Sequence, residues 1–312
     1  MVKHRADQSA AVRALKGAAP YIRLFKNRIF VVKAGGAVFG DLASTRALIE
    51  QIAILHHIGI KVVLVHGGGP QLDEMQRSLG IEPRMVQGRR VTDSRSIDVT
   101  VMVLNGLINT RILAICRELD VAAVGISGID AGLVRAHRRP PVAVGGETVD
   151  FGFVGDIDSV DVGVVRKQLD AGLMPVISPL SADESGCVLN INADTVAANI
   201  GAALGAEKLI LCTGAPGILE NLADPGSLVS YTDLNGLKAL QSAGSFADGM
   251  LPKAGAIEAA IRGGVRRVHV ISYKVADSLL AEVFTNEGTG TLIVADINAL
   301  SAAEQQSGDA RS

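Results

Sequence analysis

The chain has 312 residues, of which 48% are hydrophobic and 20% charged, so it can bury a large α/β core as one domain or as two lobes. Its 30 basic and 32 acidic residues give a net charge of -2, which argues against a nucleic-acid or polybasic membrane contact. Cys116, Cys187 and Cys212 lie far apart without a paired spacing, a pattern that predicts no disulfide framework and no metal site and favours a reducing cytoplasm. We therefore expect small-molecule partners.

Residues 1–28 interleave Arg and Lys with short apolar side chains and lack the continuous apolar core of a signal peptide. We interpret them as a helical extension whose apolar stripe, which includes Val12 and Leu15, could pack against another subunit. Pro20 is expected to interrupt or end that helix. No window approaches ~18 consecutive apolar residues, so no membrane span is predicted. The polar stretch 295–312 is predicted to be a flexible tail.

The next part of the chain alternates strands with helices. Residues 29–33 and 61–66 are apolar and rich in β-branched side chains, as is typical of parallel strands with both faces covered. Between them Ser44 is predicted to cap a helix that runs to His57 and stops at Gly59. Two further helices are predicted, at residues 70–79 and 96–119.

Between residues 129 and 158 the pattern breaks into short β-like pieces, LVRAHRR and PVAVGG, which predict a small β-hairpin lid. The remaining predicted helices are residues 162–172, 193–205 and 250–264, and the remaining strands are 174–178, 208–213, 266–272 and 291–294. Alternation of this length predicts a three-layer α/β/α sandwich with an open, mostly parallel central sheet.

In such sheets ligands bind beyond the carboxyl ends of the strands. Gly67, Gly68 and Gly69 follow the second strand and lead into a helix, and Gly35 and Gly36 follow Lys33 at the end of the first strand. Bare backbone N–H groups and a helix dipole make an anion site that a phosphate can approach closely, because no Cβ intervenes. The two adjacent loops predict a polyphosphate ligand. Neither a Walker A loop nor a GxGxxG fingerprint is present, which argues against a P-loop NTPase and against a Rossmann oxidoreductase.

Three polar clusters also fall where strands end or helices begin: GRRVTD with Arg89 and Arg90, NINAD with Asp194, and GMLPK with Lys253. Lys253 lies in the first turn of its helix, where a cation opposes the helix dipole, so we expect an anion nearby. Each cluster taken alone fits a solvated Arg pair, an Asp helix cap or an exposed Lys. Their joint occurrence favours a binding site.

The motifs KAGG, VHGGGP, RVTD, GISGIDAGL, GFVGDI, NINADTVA, APGIL and GMLPK occur in an order that resembles the amino-acid kinase family over residues 19–294. Within that family the set looks most like the N-acetylglutamate kinases of arginine biosynthesis. The resemblance implies ATP as donor, with Mg²⁺ bound mainly through the nucleotide phosphates, and N-acetyl-L-glutamate as acceptor. It also implies a kinase domain over 29–294, with an acceptor-binding part over about 29–180 and a nucleotide-binding part over about 181–294.

The resemblance assigns a role to individual residues. It implies catalytic roles for Lys33, Lys253 and Asp194. The implied ligand contacts are Gly67, Gly68, Arg90 and Asn190 for the acceptor, Gly35, Gly36 and Gly67 for the phosphoryl group, and Thr213, Gly217 and Lys253 for the nucleotide. A carboxylate acceptor has a pKa of about 4.3, so it is already an anion at neutral pH and needs no general base.

Two departures from the family pattern leave alternatives open. Thr213-Gly214 stands where many members have Thr-Asp, and Asp277 falls where arginine-regulated members have a histidine. The chain could therefore be an arginine-sensing domain like that of N-acetylglutamate synthases, although few residues follow Val294, or a kinase for a carrier-linked aminoadipate or glutamate. The N-terminal segment resembles that of hexameric, arginine-regulated members, which implies a homo-oligomer, either a dimer or a hexamer.

Overall fold

The computed structural model describes residues 2–86, 88–224, 226–246, 249–285 and 288–297, so most of the predicted tail 295–312 lies outside the described residues. The helices are α1 (Val2–Phe25), α2 (Leu42–His57), α3 (Gly69–Ser78), α4 (Ser94–Val101), α5 (Thr110–Glu118), α6 (Gly163–Asp170), α7 (Ala193–Leu204), α8 (Leu234–Ser242), α9 (Leu251–Arg262) and α10 (Ser278–Phe284). A short 3-10 helix covers Gly36–Gly40 and a π-helical segment joins α4 to α5 over Met102–Asn109.

The strands are β1 (Ile29–Ala34), β2 (Lys61–His66), β3 (Arg84–Val86), β4 (Arg89–Val91), β5 (Ala123–Ser127), β6 (Val134–Arg138), β7 (Val142–Val144), β8 (Glu147–Val149), β9 (Gly155–Val160), β10 (Met174–Ser178), β11 (Leu180–Ala182), β12 (Val188–Asn190), β13 (Lys208–Thr213), β14 (Tyr231–Asp233), β15 (Arg267–Ser272) and β16 (Thr291–Val294).

Within the described residues, eight strands form the main sheet in the order β14-β16-β15-β13-β1-β2-β10-β5. Its pairs are parallel except β15 with β16. Alternate residues of β1 and β2 enter separate buried clusters, with Val32 and Leu64 in one and Val31 and Val63 in the other. Helices therefore cover both faces, and the predicted α/β/α sandwich with a mostly parallel sheet is confirmed.

The register brings the functional strand ends together. Lys33 pairs with Leu211 of β13 and with Val65 of β2, and the next residue, Ala34, pairs with Cys212 and His66. Because the three strands are parallel, the loops that follow them leave the same edge of the sheet.

Two helix boundaries differ from the prediction. Asp41, not Ser44, caps α2, and its carboxylate accepts the N–H of Ser44 at 2.8 Å. A carboxylate at the N-cap both accepts this N–H and complements the helix dipole, which explains why the helix begins earlier than predicted. The predicted break at Pro20 is also wrong, since α1 continues to Phe25, whose side chain is buried against Phe30. Packing of the last turn outweighs the hydrogen bond that proline removes.

The predicted helix 96–119 is present as α4, the π-helical segment and α5. In the described part of the chain, residues 94–118 are the one helix whose length and hydropathy would suffice to cross a membrane, and half of its apolar 18-residue window is buried inside the protein. Val103, Ile108 and Ile112 pack in the core of the main sheet. The helix therefore has the burial expected of a core helix.

The lid is larger than the predicted hairpin. The two predicted pieces, LVRAHRR and PVAVGG, do not pair with each other: β7 of the second piece forms a hairpin with β8, whereas β6 of the first joins β9, β11 and β12 in a four-stranded sheet. A further hairpin, β3 with β4, packs through Val86 and Val91 against Phe151. β5, β14, α8 and α10 were also not predicted from the sequence. β14 and α10 are only three and seven residues long, and Gly236 weakens the helical pattern of α8.

Candidate active site

A cavity of about 710 Å³ lies at the edge where β1, β2 and β13 end and α3, α7 and α9 begin. The predicted site residues that line it are Lys33, Gly35, Gly36, Gly67, Gly68, Arg90, Asn190, Asp194, Thr213 and Lys253. The remaining one, Gly217, lines an adjoining cavity of about 270 Å³. Thr213, Gly214 and Lys253 line both cavities.

Two lysines meet one carboxylate at the floor of the main cavity. Lys33 Nζ lies 2.8 Å from Asp194 Oδ1, and Lys253 Nζ lies 3.3 Å from Asp194 Oδ2. Asp194 is free to pair with them because Asn192 caps α7, with its Oδ1 accepting the N–H groups of Asp194 and Thr195. The simpler interpretation of Asp194 as a helix cap is therefore wrong.

This cluster carries a net positive charge. Burial opposes the charged form of Asp194, but Lys33 and Lys253 outweigh it and hold the pKa of that carboxyl below its usual range. Two ammonium groups and one carboxylate leave one positive charge beside the glycine loops. An anion such as a phosphate would complete the neutralisation.

The glycines serve two purposes. A Cβ on Gly36 would lie 2.7 Å from Gly69 N, and a Cβ on Gly68 would lie 2.5 Å from Ile108 Cδ1, so these glycines allow the two loops and the π-helical segment to touch. At Gly69 a Cβ would meet nothing within 4 Å, and at Gly35 it would approach only Lys33 Nζ and Cys212 O. These two positions leave backbone open to the cavity.

The open backbone donors partly coincide with the glycines that the resemblance implies. Gly36 and Gly68 are shared, whereas the Gly35 N–H donates to Cys212 O at 3.4 Å. Gly67 N–H donates to Ala34 O at 2.8 Å, so it is already used. Within the described residues, the N–H groups of Gly36, Gly68 and Gly69 have no protein acceptor. Because these three residues begin a helix or directly precede one, their donors are the ones a helix leaves unsatisfied.

At the other end of the cavity, Arg90 is held by protein groups. Its Nη2 lies 2.5 Å from Asp73 Oδ1 and its Nη1 donates to Gln76 Oε1 at 2.9 Å. Asn190 Nδ2 donates weakly to Thr92 Oγ1 at 3.4 Å. Arg90 therefore points into the cavity with a fixed orientation, and part of its charge is balanced by Asp73.

Several residues that line the cavity were not predicted from the sequence. Arg139 lines the same cavity as Arg90, pairs with Asp156 and lies over the ring of Phe151. The apolar part of the same lining, formed by Leu72, Met85, Leu104 and Val154, was also not predicted. The basic run RAHRRP within the predicted lid was the available signal for Arg139. The apolar residues come from four separate elements, and no local pattern connects them.

His66 lies directly beneath the Gly67–Gly69 loop and is completely buried, and this burial lowers its pKa to about 4. Between about pH 6.5 and about pH 4 the unfolded chain binds a proton at this ring and the folded chain does not. The contribution of the neutral His66 ring to the free energy of unfolding is therefore fully present above about pH 6.5 and is lost as the pH falls toward about 4.

We expect wild type to lose about 2 kcal/mol of unfolding free energy through His66 alone on going from about pH 7.5 to about pH 5. His66→Gln removes the titrating ring, so urea denaturation should show a smaller loss over that pH range for the variant. Equal losses in both proteins would contradict a neutral, buried His66.

Comparison with known proteins agrees with this architecture. A model described as the amino acid kinase family matches residues 28–272. The chain is 48% identical over 287 residues to a protein of Myxococcus xanthus named acetylglutamate kinase, with 90% of this chain and 93% of that protein covered. It is 43% identical over 294 residues to the acetylglutamate kinase of Symbiobacterium thermophilum, with 92% and 99% covered.

Among solved structures, N-acetylglutamate synthase from Neisseria gonorrhoeae, complexed with coenzyme A and N-acetyl-glutamate, matches with a TM-score of 0.80 at 28% identity, covering 95% of this chain and 67% of that one. Carbamate kinase from Giardia lamblia bound to AMP-PNP matches with a TM-score of 0.61 at 18% identity, covering 86% and 99%, which shows the fold alone. Since the family match includes every strand of the main sheet except β16, and relatives covered almost end to end share up to 48% of aligned residues, the chain belongs to the amino acid kinase family.

Proposed function

We propose that the chain transfers the γ-phosphoryl group of ATP to the γ-carboxylate of N-acetyl-L-glutamate, giving N-acetyl-L-glutamyl 5-phosphate in arginine biosynthesis. The observation that carries the proposal is the Lys33–Asp194–Lys253 cluster beside two open glycine loops in one cavity. The relatives named acetylglutamate kinase, at 48% and 43% identity, support the choice of acceptor.

The reaction requires positioning and charge neutralisation more than proton transfer. The acceptor carboxylate is already ionised, so the protein has to hold two anions in line and stabilise charge on the transferred phosphoryl group. Lys33 would bridge the donor and the phosphoryl group, and Lys253 would lie on the leaving, nucleotide side. Asp194 would orient both lysines, while the N–H groups of Gly36, Gly68 and Gly69 would contact phosphoryl or acceptor oxygens.

The nucleotide base and ribose would occupy the adjoining cavity of about 270 Å³. Its lining includes the apolar side chains of Ile218, Leu219 and Phe246, which suit a purine, and it meets the main cavity at Thr213, Gly214 and Lys253. Gly217 contributes by packing, because a Cβ there would lie 2.6 Å from Leu228 Cδ1 and Thr291 Oγ1.

The residues present fit a Mg²⁺ ion that arrives with the nucleotide. No group of three His, Cys, Asp or Glu residues in the described ranges could hold a metal ion by itself. Mg²⁺ commonly keeps several waters and takes one or two carboxylates plus substrate phosphates. Both oxygens of Asp194, the carboxylate at the cavity floor, are paired with Lys33 and Lys253. The ion would therefore be held mainly through the nucleotide phosphates, and it would supply charge neutralisation there.

The acceptor end matches the chemistry of an acylated amino acid. Arg90 would bind the α-carboxylate and Asn190 the amide of the acceptor. Met85, Leu104 and Val154 offer apolar contact for the methyl of an acetyl group. A free amine there would place a cation near the guanidinium groups of Arg89, Arg90 and Arg139, which disfavours unacetylated glutamate.

The test is an ATP-dependent acyl-hydroxamate assay with N-acetylglutamate, glutamate and N-acetyl-aminoadipate side by side. We expect hydroxamate only with MgATP and most rapidly with N-acetylglutamate. Calorimetric binding of N-acetylglutamate without product at saturating MgATP would instead support the arginine-sensing alternative. Preference for the longer acceptor would support the aminoadipate kinase alternative.

Arg90→Lys is expected to raise KM for N-acetylglutamate by about tenfold or more while leaving KM for ATP unchanged. Lysine keeps the positive charge but loses the planar fork that binds a carboxylate with two hydrogen bonds. Steady-state kinetics with each substrate varied in turn measures the effect. An equal rise in both KM values would show that Arg90 acts on the fold of the cavity and not on the acceptor.

Inhibition by L-arginine is expected to be weak or absent. Asp277 is an exposed residue in the left-handed region just before α10, where it would repel the carboxylate of an arginine bound near α1 and α10. Loss of ~1.4 kcal/mol of binding free energy weakens an inhibitor tenfold. An arginine titration of the kinase assay tests this, and full inhibition at micromolar arginine would contradict it.

We also propose a homo-oligomer, dimer or hexamer, formed through α1 in the cytoplasm. Val12, Leu15 and Leu24 are exposed on that helix although they are apolar, which supports its contact with another subunit. The mass of the wild type from light scattering distinguishes a dimer from a hexamer. The mass of Leu15→Glu then tests whether the assembly forms through α1. A monomeric wild type would contradict this part of the proposal.

A further inference from the structure

The peptide between Gly67 and Gly68 is held by a buried histidine. His66 ends β2, is completely buried, and its Nδ1 lies 3.3 Å from Gly67 O. A peptide is planar and trans, so the N–H of the same unit, which belongs to Gly68, points away from the oxygen that the ring contacts. The position of the ring therefore sets the direction of the Gly68 N–H, one of the three donors without a protein acceptor at the described cavity.

Asn109 determines which nitrogen of the His66 ring carries the proton. Asn109 Nδ2 lies 3.1 Å from His66 Nε2 and also donates to Val176 O at 3.0 Å. An amide nitrogen can only donate, so His66 Nε2 accepts and the proton of the neutral ring is on Nδ1. This is the tautomer that can donate to Gly67 O.

Asn109 itself has little freedom to turn. A Cβ on Gly125 would lie 2.0 Å from Asn109 Oδ1, so the amide fills the space that this glycine of β5 leaves open. The amide group is thus wedged between β5 and β10, two strands of the main sheet. Side chains held by a rigid sheet keep a precise geometry, so Asn109 can hold the His66 ring in one orientation.

The π-helical segment that Asn109 ends contacts the same loop. Its Leu104 and Ile108 approach Gly68 so closely that a Cβ there would lie 2.7 Å from Leu104 Cδ2 and 2.5 Å from Ile108 Cδ1. Short π-helical turns inside α-helices occur frequently at functional sites. Here the altered turn brings one face of the segment to Gly68 and its last residue to His66.

We propose that His66 and Asn109 are positioning residues for phosphoryl transfer, which hold the Gly68 N–H toward the transferred group through the Gly67–Gly68 peptide. The proposal rests on the kinase function proposed above. Neither residue lines the described cavity, so both act through the peptide and do not touch substrate. A displacement of about 1 Å at a reacting centre can lower a rate by about 10²-fold, so the loss of either residue should affect kcat.

Asn109→Leu tests the proposal, with Gln51→Leu as the matched control. Gln51 is likewise a buried amide that donates to a backbone carbonyl, Ala47 O, and it lies outside the cavity lining. We expect Asn109→Leu to lower kcat by about 10-fold to 10²-fold with KM for ATP nearly unchanged, because the lost contact serves the transition state. The control should lower thermal stability while kcat stays within about twofold.

The histidine provides the conservative comparison. A glutamine at this position has both an acceptor for Asn109 and a donor for Gly67 O, whereas phenylalanine has neither. His66→Gln should therefore keep clearly more of kcat than His66→Phe. Adding Asn109→Leu to His66→Phe should lower kcat little further, because both changes remove the same support.

Amide hydrogen exchange supplies a readout that does not depend on activity. Asn109→Leu should speed exchange in peptides that contain residues 66–69, and Gln51→Leu should not. If wild type forms no acyl phosphate, the proposed function fails, while exchange still decides whether the pair orders the loop. An active wild type with unchanged kcat in Asn109→Leu, or exchange at the loop that matches the control, would overturn the positioning role.

Discussion

Lys253→Ala is expected to lower kcat of acyl-phosphate formation by about 10²-fold or more, with a much smaller change in KM for N-acetylglutamate. Lys253 Nζ lies at the junction of the two cavities, 3.3 Å from Asp194 Oδ2 and in the first turn of α9. A cation in that turn is unfavourable for the isolated helix, and it becomes favourable only when an anion lies nearby. The negative charge that grows on the leaving oxygen is such an anion.

The matched control for this substitution is Lys61→Ala. Lys61 also forms an ion pair with an aspartate, Asp170, at 2.7 Å, but it lies at the amino end of β2 and away from the cavity. An exposed pair of this kind contributes about 0 to 1 kcal/mol to stability and has no contact with substrate. Steady-state kinetics should show wild-type kcat for Lys61→Ala. An equal loss in both variants would mean that general destabilisation, not the position of Lys253, causes the effect.

Local sequence patterns were sufficient to predict where the site lies. Lys33, Gly36 and Gly67 follow runs that match buried parallel strands, and parallel strands with neighbouring positions in a sheet end at one edge. The structure brings these residues to one cavity with Asp194 and Lys253. The family resemblance added the roles, which spacing alone does not give.

The parts of the site that were not predicted depend on contacts between distant segments. The Gly67 N–H looked available in the sequence, but it is bonded to Ala34 O of the adjacent strand. Taken alone, Arg90 fitted a solvated arginine pair, but its guanidinium is held by Asp73 of α3. No periodicity in the sequence indicates either partner, because each hydrogen bond depends on how two elements pack and not on the residues beside it in the chain.

The same limit applies to the π-helical segment. Its apolar pattern predicted a single regular helix over 96–119, and the local hydrogen-bond shift became visible only with the fold. The π-helical segment packs tightly against Gly68 on one side and Gly125 on the other, where added Cβ atoms would clash with its side chains. Tertiary packing therefore selects a backbone geometry that intrinsic propensity does not favour.

Asp194→Asn is expected to abolish most activity and also to destabilise the protein without ligands by about 3 kcal/mol, because it leaves the buried ammonium group of Lys33 without its carboxylate. Lys33 and Lys253 would then repel each other across the cavity floor, and their orientation toward the phosphoryl group would be lost. The polyphosphate of MgATP can replace the missing negative charge. We therefore expect MgATP to raise the melting temperature of Asp194→Asn by more than it raises that of wild type.

Calorimetric melting of wild type and Asp194→Asn, each with and without MgATP, measures both effects. Asp183→Asn is the matched control, because side-chain and backbone hydrogen bonds from Ser185 and Cys187 lower the pKa of Asp183, and no lysine of the described residues forms an ion pair with it. It should show no enhanced response to MgATP. An equal shift of melting temperature in wild type and Asp194→Asn would mean that the donor phosphates do not contact Lys33 and Lys253. The central electrostatic role given to this cluster would then be wrong.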